Sequence, residues 1–127
     1  PQEGGSAVKV TFIEYPKCST CQKAKKWLEE REVAFEDRHI VEQNPTLEEL
    51  TAWADAGVPL KRLWNTSGMK YRQLELARRL PEMSREEQLR LLSTDGMLVK
   101  RPVLAGEGFV LTGFRPKEWA AALGVAE

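Results

Sequence analysis

The stretch Val8–Arg31, VKVTFIEYPKCSTCQKAKKWLEER, decides the fold reading. Its first half, Val8 to Tyr15, is dense in β-branched and aromatic residues and alternates around Val10, Phe12 and Glu14, which predicts a short buried strand. Pro16 cannot donate to a sheet ladder and ends it. Beyond it the period changes: Cys21, Ala24, Trp27, Leu28 and Arg31 follow helical spacing, with Lys23, Lys25 and Lys26 around the more exposed arcs. That lysine run reads as a solvated face rather than a nucleic-acid patch. A strand therefore feeds a helix through a tight loop, and the loop carries Cys18-Ser19-Thr20-Cys21.

This placement has a chemical consequence. Cys18 falls where the unpaired N–H groups of a helix start converge, and together with the positive end of the helix dipole they favour thiolate over thiol. Lys17 and Lys23 add to that field. Cys18 is the expected nucleophile. Cys21, one turn along and less exposed, is within reach of a mixed disulfide formed at Cys18 and is the expected resolving thiol. A structural zinc site wants four Cys or His ligands, whereas the chain has two Cys and one His, His39, so metal would require a site shared between copies. No metal is expected. The remaining alternative is that both cysteines are small buried hydrophobes.

Working outward, Ala34 to Ile40 reads as a second strand, broken by Asn44-Pro45. Thr46-Leu47-Glu48-Glu49 is a capping box opening a helix with Leu47, Leu50, Trp53 and Ala54 on its apolar face and Gly57 as its stop. From Pro59 to Leu92 the period stays helical, with a second capping box at Ser84-Arg85-Glu86-Glu87 and no convincing strand. After the Asp95-Gly96 turn, Met97 to Leu104 reads as a strand that folds back through 105–108 into Phe109-Val110-Leu111. Pro116 suits the first turn of a last helix carrying Trp119, Ala120 and Leu123, closed by Gly124. The order β, α, β, α, helices, β, β, α joins a parallel βαβ unit to a ββα unit: an α/β, thioredoxin-like topology with a helical insertion at about 58–95. Trp27, Trp53 and Trp119 fit core positions, and His39 is a strand residue.

Composition limits the rest. A chain of 127 residues is one domain's worth, 1–127, with residues 1–7 read as a flexible leader. Nineteen basic and nineteen acidic residues cancel, which argues against a surface that coats nucleic acid. No apolar run approaches the ~20 residues of a membrane span and no signal peptide is visible, so a cytoplasmic location without membrane association is expected.

Several segments together, Tyr15-Pro16-Lys17-Cys18-Ser19-Thr20-Cys21 with Lys25-Lys26-Trp27-Leu28, Asn65-Thr66-Ser67-Gly68 with Tyr71-Arg72, and Lys100-Arg101-Pro102, resemble the ArsC family, from about Val8 to Leu123. The C-x-x-C places the resemblance nearer its arsenate reductase-like and Spx/MgsR branch. The resemblance implies a thioredoxin-like fold, a nucleophilic N-terminal cysteine and arginines gathered to hold an oxyanion, here Arg101 and Arg115. Counting back from Tyr71, it places Asn65 where arsenate reductases carry a third arginine, so a neutral amide replaces one charged donor. Arsenate reductases of this kind rely on glutathione and glutaredoxin, whereas this chain carries its own resolving thiol. Pro102 is the candidate for the cis-proline that thioredoxin-like folds set opposite the active cysteine, its alternative being a strand-edge proline. Arg101 and Arg115 also admit a plain reading as surface ion-pairing residues.

Two functions are compatible with these residues. One is an arsenate reductase-like thiol-disulfide oxidoreductase acting on a small oxyanion or disulfide, with no bound cofactor and with glutathione, thioredoxin or glutaredoxin as reductant. The other is a redox-sensing regulator of Spx type whose partner is the C-terminal domain of the RNA polymerase α subunit.

Overall fold

The computed structural model describes residues 9–127, so the leader expected at 1–7 lies outside the described residues. Four short strands form one sheet: β1 (Thr11–Glu14), β2 (Glu36–His39), β3 (Val103–Gly106) and β4 (Phe109–Thr112). Their order is β2-β1-β3-β4, with β1 parallel to β2 and antiparallel to β3, and β3 antiparallel to β4. The parallel pair is joined by α1 (Ser19–Glu30), the crossover that a parallel connection requires. This is the thioredoxin-like arrangement expected from the order of elements.

The sheet is covered on both faces, which is why β1 is buried almost throughout. Val10, Phe12 and Leu104 pack with Ala24, Trp27 and Leu28 of α1 and with Trp119 and Ala120 of α6 (Pro116–Leu123). Ile13 and Val103 point the other way, into a core built from Leu50 and Trp53 of α2 (Leu47–Asp55) and residues of the helical segment that follows. That segment runs through a 3-10 turn (Leu60–Arg62), α3 (Met69–Gln73), α4 (Leu76–Arg79), a second 3-10 turn (Leu80–Glu82) and α5 (Arg85–Leu92). It contributes Leu63, Trp64, Leu76, Leu89 and Leu92 to the core. The sequence singled out three tryptophans as core and passed over Trp64, which is 1% exposed.

Two expectations are corrected. β1 and β2 are four residues each against the eight and seven expected; of the flanking positions Val10 and Ile40 still bond across the pair, the Glu36 N–H to the Val10 carbonyl at 2.8 Å and the Ile40 N–H to the Glu14 carbonyl at 2.7 Å, and Val8 lies outside the described residues. Met97 to Pro102 is not strand: Gly96–Leu98 is a 3-10 turn whose Met97 N–H is held by the Asp95 carboxylate at 2.9 Å, and β3 starts only at Val103. Leu98 and Val99 of the apolar run are buried without being part of β3. The segment 59–92 holds no strand, as expected, and its Trp64 makes an isolated antiparallel bridge with Val99. Both capping boxes, at Thr46/Glu49 and Ser84/Glu87, are formed. Among the described residues no helix is long and apolar enough to cross a membrane.

Candidate active site

The β1–α1 loop is tied down by its own backbone. The Cys18 N–H donates to the Tyr15 carbonyl at 2.9 Å, and the Gln22 side-chain amide donates to the Pro16 carbonyl at 2.8 Å. Cys18 is thereby placed as the N-cap of α1, its Sγ accepting the Cys21 N–H at 3.4 Å. The first turns of α2 and α5 each carry two glutamates, as helix starts commonly do, but that of α1 carries no acid. With no side-chain carboxylate there to compensate it, the positive helix end is left to the sulfur.

The two thiols, both free, are driven apart. At Cys18 partial burial pushes the thiol up, but the Cys21 N–H, the Cys21 thiol and the Arg101 guanidinium all favour the thiolate, and the net displacement is downward. At Cys21, which is fully buried, desolvation dominates; the Tyr15 N–H and Arg101 pull the other way, the neighbouring Cys18 adds to the rise, and the thiol is pushed up to about 12. The thiolate is favoured at the half-buried Cys18, and the buried Cys21 holds its proton behind it.

Cys18 opens onto a cleft of about 320 Å³ lined by Thr20, Asn65, Ser67, Lys100, Arg101 and Arg115, with Gly113 and Phe114 completing the wall. Three cations and no carboxylate line it. The Arg101–Pro102 peptide bond is cis, and the Pro102 carbonyl accepts the Gly113 N–H at 2.8 Å, which joins the segment bearing Arg101 to the segment bearing Arg115. Gly113 has φ of +74°, and a Cβ there would lie 2.9 Å from Cε of Lys100, so the bare backbone is what lets the lysine stem cross into the cleft.

The model of the ArsC family matches residues 13–122. The chain belongs to the ArsC family. It is 53% identical to an ArsC family related protein from Bacteroides fragilis, superposing with a TM-score of 0.88 over 91% of this chain and 98% of that one. It is 38% identical to a possible arsenate reductase from Streptococcus mutans UA159, with a TM-score of 0.80 over 87% and 96% of the two chains. It is also 31% identical to Regulatory protein MgsR of Bacillus subtilis (strain 168) over 86% of each chain.

In this ArsC-family chain Cys18, Asn65, Arg101 and Arg115, singled out in the sequence, line one cleft, while Cys21 and Pro102 are buried and do not line it. Asn65 is there, but its amide is engaged: Nδ2 donates to the Met97 carbonyl at 3.4 Å, and Oδ1 accepts from Ser67 at 3.5 Å. Arg115 lines the cleft and also pairs with Glu118 at 3.2 Å. Arg101 has no carboxylate partner among the described residues; its Nη1 meets the Met97 sulfur at 3.9 Å, and its Cζ lies 5.1 Å from the centroid of the Tyr15 ring. Lys100 and Thr20 were given no role from sequence. The signal was available for Lys100, which stands beside Arg101 in the same motif, whereas nothing in the local pattern marks Thr20.

A second cleft, of about 390 Å³, is lined by Glu14, Pro16, Gln22, Lys25, Asp37 and His39. Lys25 is not merely solvated: its Nζ is 2.7 Å from Asp37 and 3.8 Å from Glu14. Burial and the adjacent Asp37 raise the Glu14 carboxyl to about 7 despite the lysine. His39 takes part in β2 and its Nδ1 accepts the N–H groups of Val41 and Glu42, both at 3.1 Å. Among the described residues no group of three or more His, Cys, Asp or Glu is arranged to hold a metal ion.

Proposed function

We propose that the chain is an arsenate reductase-like thiol-disulfide oxidoreductase with Cys18 as nucleophile and Cys21 as resolving thiol. The observation that carries this is the opposite displacement of the two thiols at one helix start, beside a cleft walled by Lys100, Arg101 and Arg115. With a disulfide substrate, the Cys18 thiolate attacks one sulfur, forms a mixed disulfide and expels the other half as a thiolate. Cys21 then gives up its proton and attacks Cys18 Sγ, expelling the second half; the protein is left with a Cys18–Cys21 disulfide, two electrons having passed to the substrate. Glutathione, thioredoxin or glutaredoxin returns those electrons. With arsenate, attack by Cys18 would displace water, and attack of Cys21 on Cys18 Sγ would leave the electron pair on arsenic and release arsenite.

The geometry orders the two steps. The Cys18 side chain is one of the groups that raise Cys21. Once Cys18 is consumed in a mixed disulfide its negative charge is gone, and Cys21 ionises more readily at the moment a resolving thiolate is needed.

The test is trapping with glutathione disulfide. The native chain is expected to end as the intramolecular disulfide, Cys21→Ser to accumulate the glutathione adduct at Cys18, and Cys18→Ser to form neither. Retention of most reactivity by Cys18→Ser at neutral pH would overturn the assignment. The relation to MgsR favours a second reading, a redox-sensing regulator that binds the C-terminal domain of the α subunit of RNA polymerase. Redox-dependent binding to that purified domain, together with no turnover of any disulfide or of arsenate, would select it.

A further inference from the structure

Arg101 lines the cleft beside Cys18 and favours its thiolate, and no carboxylate among the described residues holds it. Arg31 also lies over an aromatic ring, that of Trp27 at 4.1 Å, but several other arginines are held by carboxylates: Arg38 by Glu49 at 2.7 Å, Arg85 by Asp55, Arg115 by Glu118 at 3.2 Å. Arg101 is held instead by two neutral, polarisable groups, the face of Tyr15 and the sulfur of Met97. A carboxylate partner would fix the guanidinium just as well but would cancel much of its field at the sulfur nearby. An aromatic face within about 6 Å attracts the cation through its quadrupole and brings no counter-charge.

We infer that Tyr15 is a positioning residue for Cys18: its ring, with Met97 as a second support, holds Arg101 against the thiol while leaving the guanidinium's charge undiminished. Tyr15 is well placed to do so. It is the residue directly after β1, and its carbonyl takes the Cys18 N–H at 2.9 Å, so its backbone is tied to the nucleophile's own. Its ring is braced by His39, edge to face at 5.8 Å between centroids. One residue thus orders the loop through its backbone and supports the charge through its ring. The charged and titratable groups around the Cys18 thiol are then Cys21 from α1, Arg101 from the segment before β3, and Lys100 and Arg115 from the cleft wall.

This inference rests on Cys18 being the attacking sulfur, but its test needs no substrate. In full-length protein carrying Cys21→Ser, the ionisation of Cys18 is followed by thiolate absorbance against pH and by its rate of alkylation with iodoacetamide at neutral pH. Tyr15→Leu is expected to move the titration upward and slow alkylation roughly two- to tenfold, while Tyr15→Phe, which keeps the ring, retains native behaviour. In an Arg101→Gln background Tyr15→Leu is expected to add nothing, because its effect passes through the arginine. Met97→Glu supplies a carboxylate partner and is expected to slow alkylation even though it holds Arg101. Equal titrations for Tyr15→Leu and native protein, or a Tyr15→Leu effect undiminished in Arg101→Gln, would overturn the inference. Circular dichroism of each variant shows whether the fold is kept; should Tyr15→Leu not fold, Met97→Glu and Arg101→Gln carry the same comparison, and a Met97→Glu rate equal to native overturns it. Failure of disulfide exchange would count against the proposed oxidoreductase and leave these titrations standing.

Discussion

Replacing Glu14 by Gln should make the protein more stable at alkaline pH and nearly unchanged in acid. Glu14 is 4% exposed at the end of β1, facing α1, with Asp37 beside it and Lys25 3.8 Å away. Its carboxyl titrates at about 7 in the fold against an ordinary value of 4.5. Below pH 4.5 the group is protonated in both states and costs nothing. As pH rises from 4.5 to about 7 the unfolded chain releases the proton while the native state keeps it, so stability falls through that window and levels off above it. At about 1.4 kcal/mol per pH unit the full loss has a ceiling of about 3 kcal/mol. Asp37, held below its ordinary value by Glu14 and Lys25 despite its own desolvation, works in the opposite direction and returns part of this. Glu14→Gln has no proton to lose and keeps a donor for Asp37. Urea unfolding of the reduced protein at pH 5 and pH 8 is the assay. A gain of about 1–3 kcal/mol over native at pH 8, shrinking to less than about 1 kcal/mol at pH 5, is expected. A difference between the two proteins that is the same at both pH values would refute the raised carboxyl.

Two further outcomes are expected. Gly96→Ala should severely destabilise the fold, by more than about 3 kcal/mol, because a Cβ there would run into the backbone carbonyl of Ile40, which cannot move aside; thermal unfolding measures it, and a loss under about 1 kcal/mol would mean that the close approach is wrong. Arsenate should be a poor substrate for the native chain, bound roughly ten- to a hundredfold more weakly than by a site with three arginines, and Asn65→Arg should recover some turnover in kinetics with glutathione and glutaredoxin; efficient native turnover untouched by Arg101→Ala would show the anion site to be elsewhere.

What the sequence makes legible here follows the range of the interactions. The β1–α1 unit, the two capping boxes, the last helix with Pro116 at its start and Gly124 at its end, and the placement of Cys18 at a helix start are all fixed by residues within a few positions of one another. The segment Met97–Pro102 fails for the opposite reason. Its apolar side chains satisfy the pattern of a strand, but a short-range competitor, the Asp95 carboxylate capping the Met97 N–H, and a long-range one, the packing of Gly96 against Ile40, bend it into a 3-10 turn. The consequences for the site are direct. That bend brings Met97 back toward Arg101, four residues ahead of it, and supplies the carbonyl that engages Asn65. Had the segment been the strand its pattern suggests, Met97 and Arg101 would have shared a face but lain about 13 Å apart along it, and Met97, Arg101 and Tyr15 would not meet. Arg101 and Arg115 come from the family resemblance rather than from any local pattern. What could not be found is how Arg101 is held, since a thioether and an aromatic ring look like core residues until the turn that gathers them is seen. The ionisation of Cys18 therefore depends on a contact between a loop next to β1 and a turn some eighty residues later, and that contact is the part of the site most exposed to test.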